Sequence, residues 1–178
     1  MSVPARRPLD ARMLVVQHFD FVWRLLRRLG VEEADIDDAA QQVFLIAARR
    51  IGTIAEGRER TFLYGTALRI AATLRRNLKR RRKWVETGPA DAEAPQGTPH
   101  DELERRQALA LLDEVLNSLA DDLRVVFVLC ELEELPAPEV ASLVGVPAGT
   151  VASRLRRARK EFKARLLRLR AQRLRESW

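Results

Sequence analysis

The chain has 178 residues, with 32 Lys and Arg against 25 Asp and Glu for a formal net charge of +7; 47% of it is apolar and only 6% aromatic. That length suits one ordinary domain or two small ones, and that apolar share excludes wholesale disorder. A single cysteine, Cys130, excludes a disulfide-stapled scaffold, and the longest apolar run, residues 125–130, is far short of the roughly 20 residues of a bilayer span.

The first residues, MSVPARRPLDARM, are basic, but no apolar signal core follows them, so a soluble cytoplasmic protein is expected. Phe19, Val22, Trp23, Leu25, Leu26 and Leu29 recur at helical spacing, and Gly30 follows as a stop. The next helix carries Ala39, Ala40, Val43, Phe44, Ile46 and Ala47, with Asp35 as its predicted N-cap. Asp37 and Asp38 could suggest metal chemistry. Adjacent helical positions diverge by about 100°, however, so helix N-terminal stabilisation fits them better than convergence on one ion.

Gly52 and Gly57 bracket a loop. A third helix then carries Phe62, Leu63, Ala67, Ile70, Ala71 and Leu74 and runs into eight basic residues, from Arg69 to Lys83, with no acid among them. Residues 85–102, VETGPADAEAPQGTPHDE, hold three Pro, two Gly and no Lys or Arg. Such a segment offers little apolar surface to offset its ordering entropy and is predicted to be a flexible linker. Helices are then predicted at 103–119 and 121–133. The Val-rich end of the second could form a strand, but the chain supplies no partner strand. Cys130 falls in this apolar stretch, where packing is the simpler role.

Residues 136–162 read PAPEVASLVGVPAGTVASRLRRARKEF. Pro138 suits a first helical turn, Val140, Ala141, Leu143 and Val144 supply an apolar face, and Gly145 suits the left-handed residue that ends a helix. A second helix follows, with Val151, Leu155, Ala158 and Phe162 facing inward. A short helix, a tight turn and a longer helix make a helix-turn-helix. Its outer face holds Ala152, Ser153, Arg156, Arg157 and Lys160, with Arg154 at the margin. In a major groove, Arg can fork onto guanine and Ser can donate or accept, while cations farther along meet phosphates. Eleven basic residues and one acid, Glu161, occupy positions 154–175. Two such blocks suggest two contacts with one polyanion; two solvated helical faces are the plainer alternative.

This segment resembles region 4 of bacterial RNA polymerase sigma factors of the extracytoplasmic-function (ECF) type, matching at Glu139, Ala141, Leu143, Gly145, Val146, Gly149, Thr150, Val151, Ser153, Arg154, Leu155, Arg157, Ala158 and Arg159. Ala152 stands where the family usually has Lys. DIDDAAQQVFLIAARRI resembles region 2 of the same family at Asp38, Gln41, Val43 and Phe44, with Gln42 replacing the common Glu. RTFLYGTALRIAATLRR resembles the stretch that follows, through Leu63, Tyr64, Ala67 and Ala71, with Phe62 where Trp is usual.

The resemblance implies an all-α protein of two small helical domains joined by a flexible linker, the C-terminal one a helix-turn-helix. Region 2 would span 10–84, the linker 85–102, region 4 103–170, and a basic extension 171–178. It further implies an initiation factor without catalytic residues, cofactor or metal. Thr150, Ala152, Ser153, Arg154, Arg156, Arg157 and Lys160 would read a minus-35 duplex. Arg60, Phe62, Tyr64, Arg69, Arg75 and Arg76 would hold a minus-10 single strand, with packing as the alternative role of Phe62 and Tyr64. Asp38, Gln41, Gln42 and Phe44 would dock on the β′ clamp helices of core RNA polymerase. The β flap is a second expected polymerase contact, and an anti-sigma factor is a common partner in the family. The rival reading is a stand-alone helix-turn-helix regulator, but such proteins usually dimerise on paired half-sites and no dimerisation heptad is present. Two halves on a linker of this length would have no fixed spacing in solution.

Overall fold

The structure, a computed structural model, describes residues 10–84 and 100–176. The described residues form seven α-helices and no strand: α1 (Ala11–Arg28), α2 (Glu33–Arg49), α3 (Glu59–Trp84), α4 (His100–Ser118), α5 (Asp121–Phe127), α6 (Ala137–Val144) and α7 (Ala148–Glu176). A short 3₁₀ turn, Ile51–Thr53, follows α2, and a π-turn, Val128–Leu132, follows α5. The bulk of the expected linker, residues 85–99, lies outside the described residues, as do Ser177 and Trp178 at the end of the expected extension.

The first domain is α1, α2 and α3. Asp10 caps α1 by accepting from the Arg12 N–H, and Gly30, at φ +82°, turns the chain out of it. Val22, Leu25 and Leu26 of α1, with Leu29 at its C-cap, close on Ile36, Ala40, Val43 and Ala47 of α2 and on Leu63, Ala67 and Ala71 of α3. Each fully buried Leu or Val side chain contributes about 1.5–3 kcal/mol relative to exposure. The expected cap of α2 is corrected: Glu32, not Asp35, is the N-cap, and it makes no side-chain cap bond. Asp35 instead sits in the first turn, where its charge favours the positive end of the helix dipole.

In the second domain, α4 and α5 pack on α6 and α7. Leu116, Leu123, Val126 and Leu129 bury with Val140, Val151 and Ala158, and the Phe127 and Phe162 rings stack at 4.5 Å. The helix predicted over 121–133 is α-helical only to Phe127; the π-turn then carries Cys130 half-buried. Burial and the neighbouring Glu131 push the Cys130 thiol pKa up, so the thiol form dominates at neutral pH.

The expectation of two halves without fixed spacing is corrected. Buried residues of both domains join one continuous cluster, and α1 meets α4 while α3 meets α6. The reason is physical: the second domain lines up acids along its inner side, opposite arginines of α1 and α3, a complementarity that runs across the linker rather than along the sequence.

Candidate nucleic-acid interface

The helix-turn-helix is built as its sequence implies. Pro138 lies in the first turn of α6, and Gly145 ends that helix at φ +70°, its N–H bonded to the Ala141 carbonyl. Thr150 and Val151 then donate their N–H groups to the Pro147 carbonyl and start α7. Val151 and Ala158 are fully buried, which fixes the rotation of α7 and turns the opposite face to solvent.

On that face Ala152, Ser153, Arg156, Arg157 and Lys160 are exposed. Thr150, Ser153, Arg154, Arg156, Arg157 and Lys160 line one open depression of about 590 Å³ together with Asp122 and Leu123. Ser153 Oγ donates to the Thr150 carbonyl at 2.9 Å, which leaves its lone pairs outward. Two of the cations are already paired, Arg154 with Asp122 at 3.2 Å and Arg157 with Glu161 at 2.8 Å. Arg156 and Lys160 make no ion pair with any described residue. Arg159, on the flank, is held by Glu131 at 2.6 Å and helps set α7 on its scaffold.

The six residues expected at a minus-10 strand are split by the fold. Arg69 and Arg76 are exposed on α3, and Phe62 is half-buried. Arg60 is exposed but lies over the Phe21 ring at 4.6 Å. Tyr64, at 2% exposure, is buried edge-on against Phe21, with its hydroxyl donating to Glu133 at 3.0 Å. Burial, and then the Glu133 charge, push the Tyr64 phenol well above its ordinary pKa of 10.0, so it stays a neutral donor. Arg75, at 7% exposure, donates to the Leu29 carbonyl at 2.7 Å and pairs with Asp121 at 2.5 Å.

Asp38, Gln41 and Gln42 share the exposed face of α2, while Phe44 is buried and stacks on Phe19 at 6.3 Å. Two apolar neighbours were missed: Leu45, 50% exposed at the i+7 position from Asp38, and Phe19, 40% exposed. The signal for Leu45 was available, because 38, 41, 42 and 45 fall on one helical stripe opposite Val43 and Ala47. Among the described residues, no three of His, Cys, Asp and Glu are grouped to hold a metal ion, and no helix is long and apolar enough to cross a membrane.

Residues 14–83 match the family model of sigma-70 region 2, and residues 109–162 match that of sigma-70 region 4. The RNA polymerase sigma factor NccH of Alcaligenes xylosoxydans xylosoxydans is 30% identical over 86% of this chain and 84% of its own length. The chain belongs to the ECF sigma-factor family. The ECF sigma-E factor of Escherichia coli (strain K12) is 30% identical over 83% of this chain and 82% of its own. The ECF sigma factor SigE of Mycolicibacterium smegmatis is 31% identical over 84% of this chain, which spans 59% of that relative's length. The sigma factor RpoE of Bartonella quintana, solved with the anti-sigma factor NepR, shares the fold at a TM-score of 0.69 and 18% identity, covering 87% of this chain and 95% of that one. CnrH, solved with the cytosolic domain of CnrY, shares it at 0.63 and 24%, covering 86% of this chain and 85% of that one. The sigma factor is thus a transcription initiation factor, with a DNA-binding region 4 in the second domain.

Proposed function

We propose that this sigma factor binds core RNA polymerase in the cytoplasm and directs it to promoters through two separate readings of DNA. The outer face of α7 reads the minus-35 duplex: Ser153 and Arg156 reach base edges, with Thr150, Ala152 and Arg154 beside them, and Arg157 and Lys160 meet phosphates. The first domain holds the minus-10 single strand with Arg60, Arg69 and Arg76 on its surface, where cations track the backbone and the half-buried Phe62 ring offers a stacking surface, while the buried Tyr64 and Arg75 support that surface from within. Asp38, Gln41 and Gln42, with Phe44 behind them, dock on the β′ clamp helices, and the second domain contacts the β flap. An anti-sigma partner is proposed by analogy with the two solved neighbours, each seen with a protein partner. The chain's own residues bind and position; nucleotide addition belongs to the polymerase.

The observation that carries this reading is the α7 face. A buried Val151–Ala158 seam turns a serine outward together with Arg156 and Lys160, which make no ion pair with any described residue, at the place where a helix-turn-helix presents its reading helix. The experiment is run-off transcription with permanganate footprinting, on a promoter selected from a randomised library by the holoenzyme. Start-site-specific transcripts and reactive thymines are expected only when the protein and core polymerase are both present. Tight sequence-specific duplex binding by the protein alone, without opening when core is added, overturns the reading in favour of a stand-alone regulator.

A further inference from the structure

The two domains close on one another around a cleft. In this closed form α3 faces α5, α6 and the start of α7 across a space of about 640 Å³. Packed interiors leave few voids larger than a water molecule, and this volume is that of a small-molecule site. Phe62, Gly65 and Ala72 form one wall, on a single stripe of α3, and Val125, Leu143 and Val144 form the other. The larger apolar side chains among them stay only partly buried, so the domains meet around the space without filling it.

Small residues keep the cleft open. Gly65 lies in mid-helix, where glycine costs helix stability relative to alanine. Neither its backbone nor a close neighbour demands glycine: its φ is not positive, and an added Cβ would make ordinary contact with Arg69 Nη2 at 3.6 Å and Leu143 Cδ2 at 3.7 Å. Ala72, two turns on, is exposed and puts only a methyl group into the space. Polar contacts bound the cleft along α3. Near the start of the helix the Thr61 hydroxyl donates to Glu139 at 3.1 Å. About four turns farther along, Arg75 pairs with Asp121, and Arg75 and Arg124 donate to the Leu29 carbonyl at 2.7 and 3.3 Å.

Charge in the lining is unbalanced. Arg69, Arg75, Arg76 and Arg154 stand against Asp121 and Asp122. Asp121 holds Arg75 and Asp122 holds Arg154. Arg69 and Arg76 flank Ala72 on the same stripe, and neither makes an ion pair with any described residue. An apolar cleft with two uncompensated guanidinium groups suits a ligand with an apolar body and one anionic head, and a carboxylate matches the guanidinium fork. Of the lining side chains only that of Phe62 is aromatic, and the cleft runs along a helix, which favours an alkyl chain over a ring system.

We propose that this cleft is a binding site for a medium-chain alkyl carboxylate, its chain lying between α3 and α6 and its head held by Arg69 and Arg76. An occupant touches both domains, so a small molecule can act on their arrangement directly.

The test is isothermal titration calorimetry of the full chain with decanoate, below its micelle-forming concentration, beside decanol and butyrate. Decanoate is expected to bind at one site per chain, and decanol, which lacks the charge, and butyrate, which lacks most of the chain, about tenfold more weakly or worse. Ala72→Phe fills the space and is expected to abolish the binding. Arg69→Gln with Arg76→Gln is expected to weaken it by about tenfold or more. Arg80→Gln with Arg81→Gln removes the same charge from exposed positions of α3 outside the cleft and should leave it unchanged. Should Ala72→Phe fail to fold, the two arginine pairs decide. Absence of saturable binding overturns the proposal, as do binding that survives a folded Ala72→Phe, an equal loss in both arginine pairs, or decanol bound as tightly as decanoate. The readout is ligand binding, so it stands or falls separately from the reading of DNA.

Discussion

The two basic stretches, alike in composition, are paired differently: on α3 a buried arginine is held from across the domain boundary, whereas the ion pairs of α7 stay within the second domain. On α3, Arg75 and Lys79 are taken by Asp121, and Arg60 is drawn toward Glu133. On α7, Arg156, Lys160, Lys163 and Arg168 are exposed and make no ion pair with any described residue. What separates them is the surface set opposite each helix. Asp113, Asp121 and Glu133 face cations of the first domain, Asp122 and Glu131 hold Arg154 and Arg159 of α7, and Arg156 and Lys160 are left to solvent. Cation count thus measures potential affinity for a polyanion, and the tertiary arrangement decides how much of it is available.

The largest effect is expected on the open stretch. Ser153→Ala with Arg156→Ala removes two base contacts worth about 1–3 kcal/mol each, so promoter-specific transcription should fall by at least about thirtyfold while helix content and the melting temperature stay unchanged. Unaltered promoter preference would break the assignment of α7 as the reading helix. Next, Asp38→Lys with Gln41→Lys should weaken core polymerase binding by about tenfold or more, through like-charge contacts or lost bonds at the docking face. Binding of the chain to a minus-35 duplex should be untouched, since neither residue belongs to either basic stretch.

Arg75→Ala gives the opposite signature to the α7 pair. It strips the Leu29 carbonyl of its shorter hydrogen bond and costs Asp121 a partner. Stability should drop by about 1–3 kcal/mol, read as a lower denaturation midpoint. The smallest effect is one of pH. Burial raises the Asp121 pKa, but hydrogen bonds from Arg75 and Lys79 outweigh it and hold the carboxyl below its ordinary 3.8. A depressed carboxyl contributes stability that is fully present above the ordinary value and is lost as pH falls through the folded one. The melting-temperature advantage of the wild type over Asp121→Asn should therefore be flat from about pH 7 to 5 and shrink below about pH 4. An advantage that persists unchanged at lower pH would show that the ion pairs of Asp121 do not stabilise the closed form.

Much of the fold was legible because it is local. The seam of Val151 and Ala158, the αL turn at Gly145 and the α1 stop at Gly30 each follow from spacing or from the conformational freedom of glycine. The exposed α7 face was legible for the same reason: helical phase alone assigns Ser153, Arg156 and Lys160 to the side away from the core. The burial of Tyr64 and Arg75 was not. Both lie on a helix whose own sequence allows either orientation, and their partners Glu133 and Asp121 come from beyond the linker. The N-cap of α2 was missed because the chain starts that helix at Glu33, although Asp35 has the better capping side chain.

The π-turn at Val128–Leu132 acts as a phase shifter. An α-helix advances about 100° per residue, so the one extra residue of a π-turn rotates everything after it by about that angle relative to an unbroken helix. Glu131, inside the turn, clasps Arg159 of α7, while Glu133, just past it, faces Arg28 and Tyr64 of the other domain. One short stretch thereby serves two neighbours on different sides. Removing a single residue from it would preserve composition, charge and helical character, yet it would swing the Glu133 carboxylate away from the first domain. Chain length here, and not side-chain chemistry, sets which surface receives the charge.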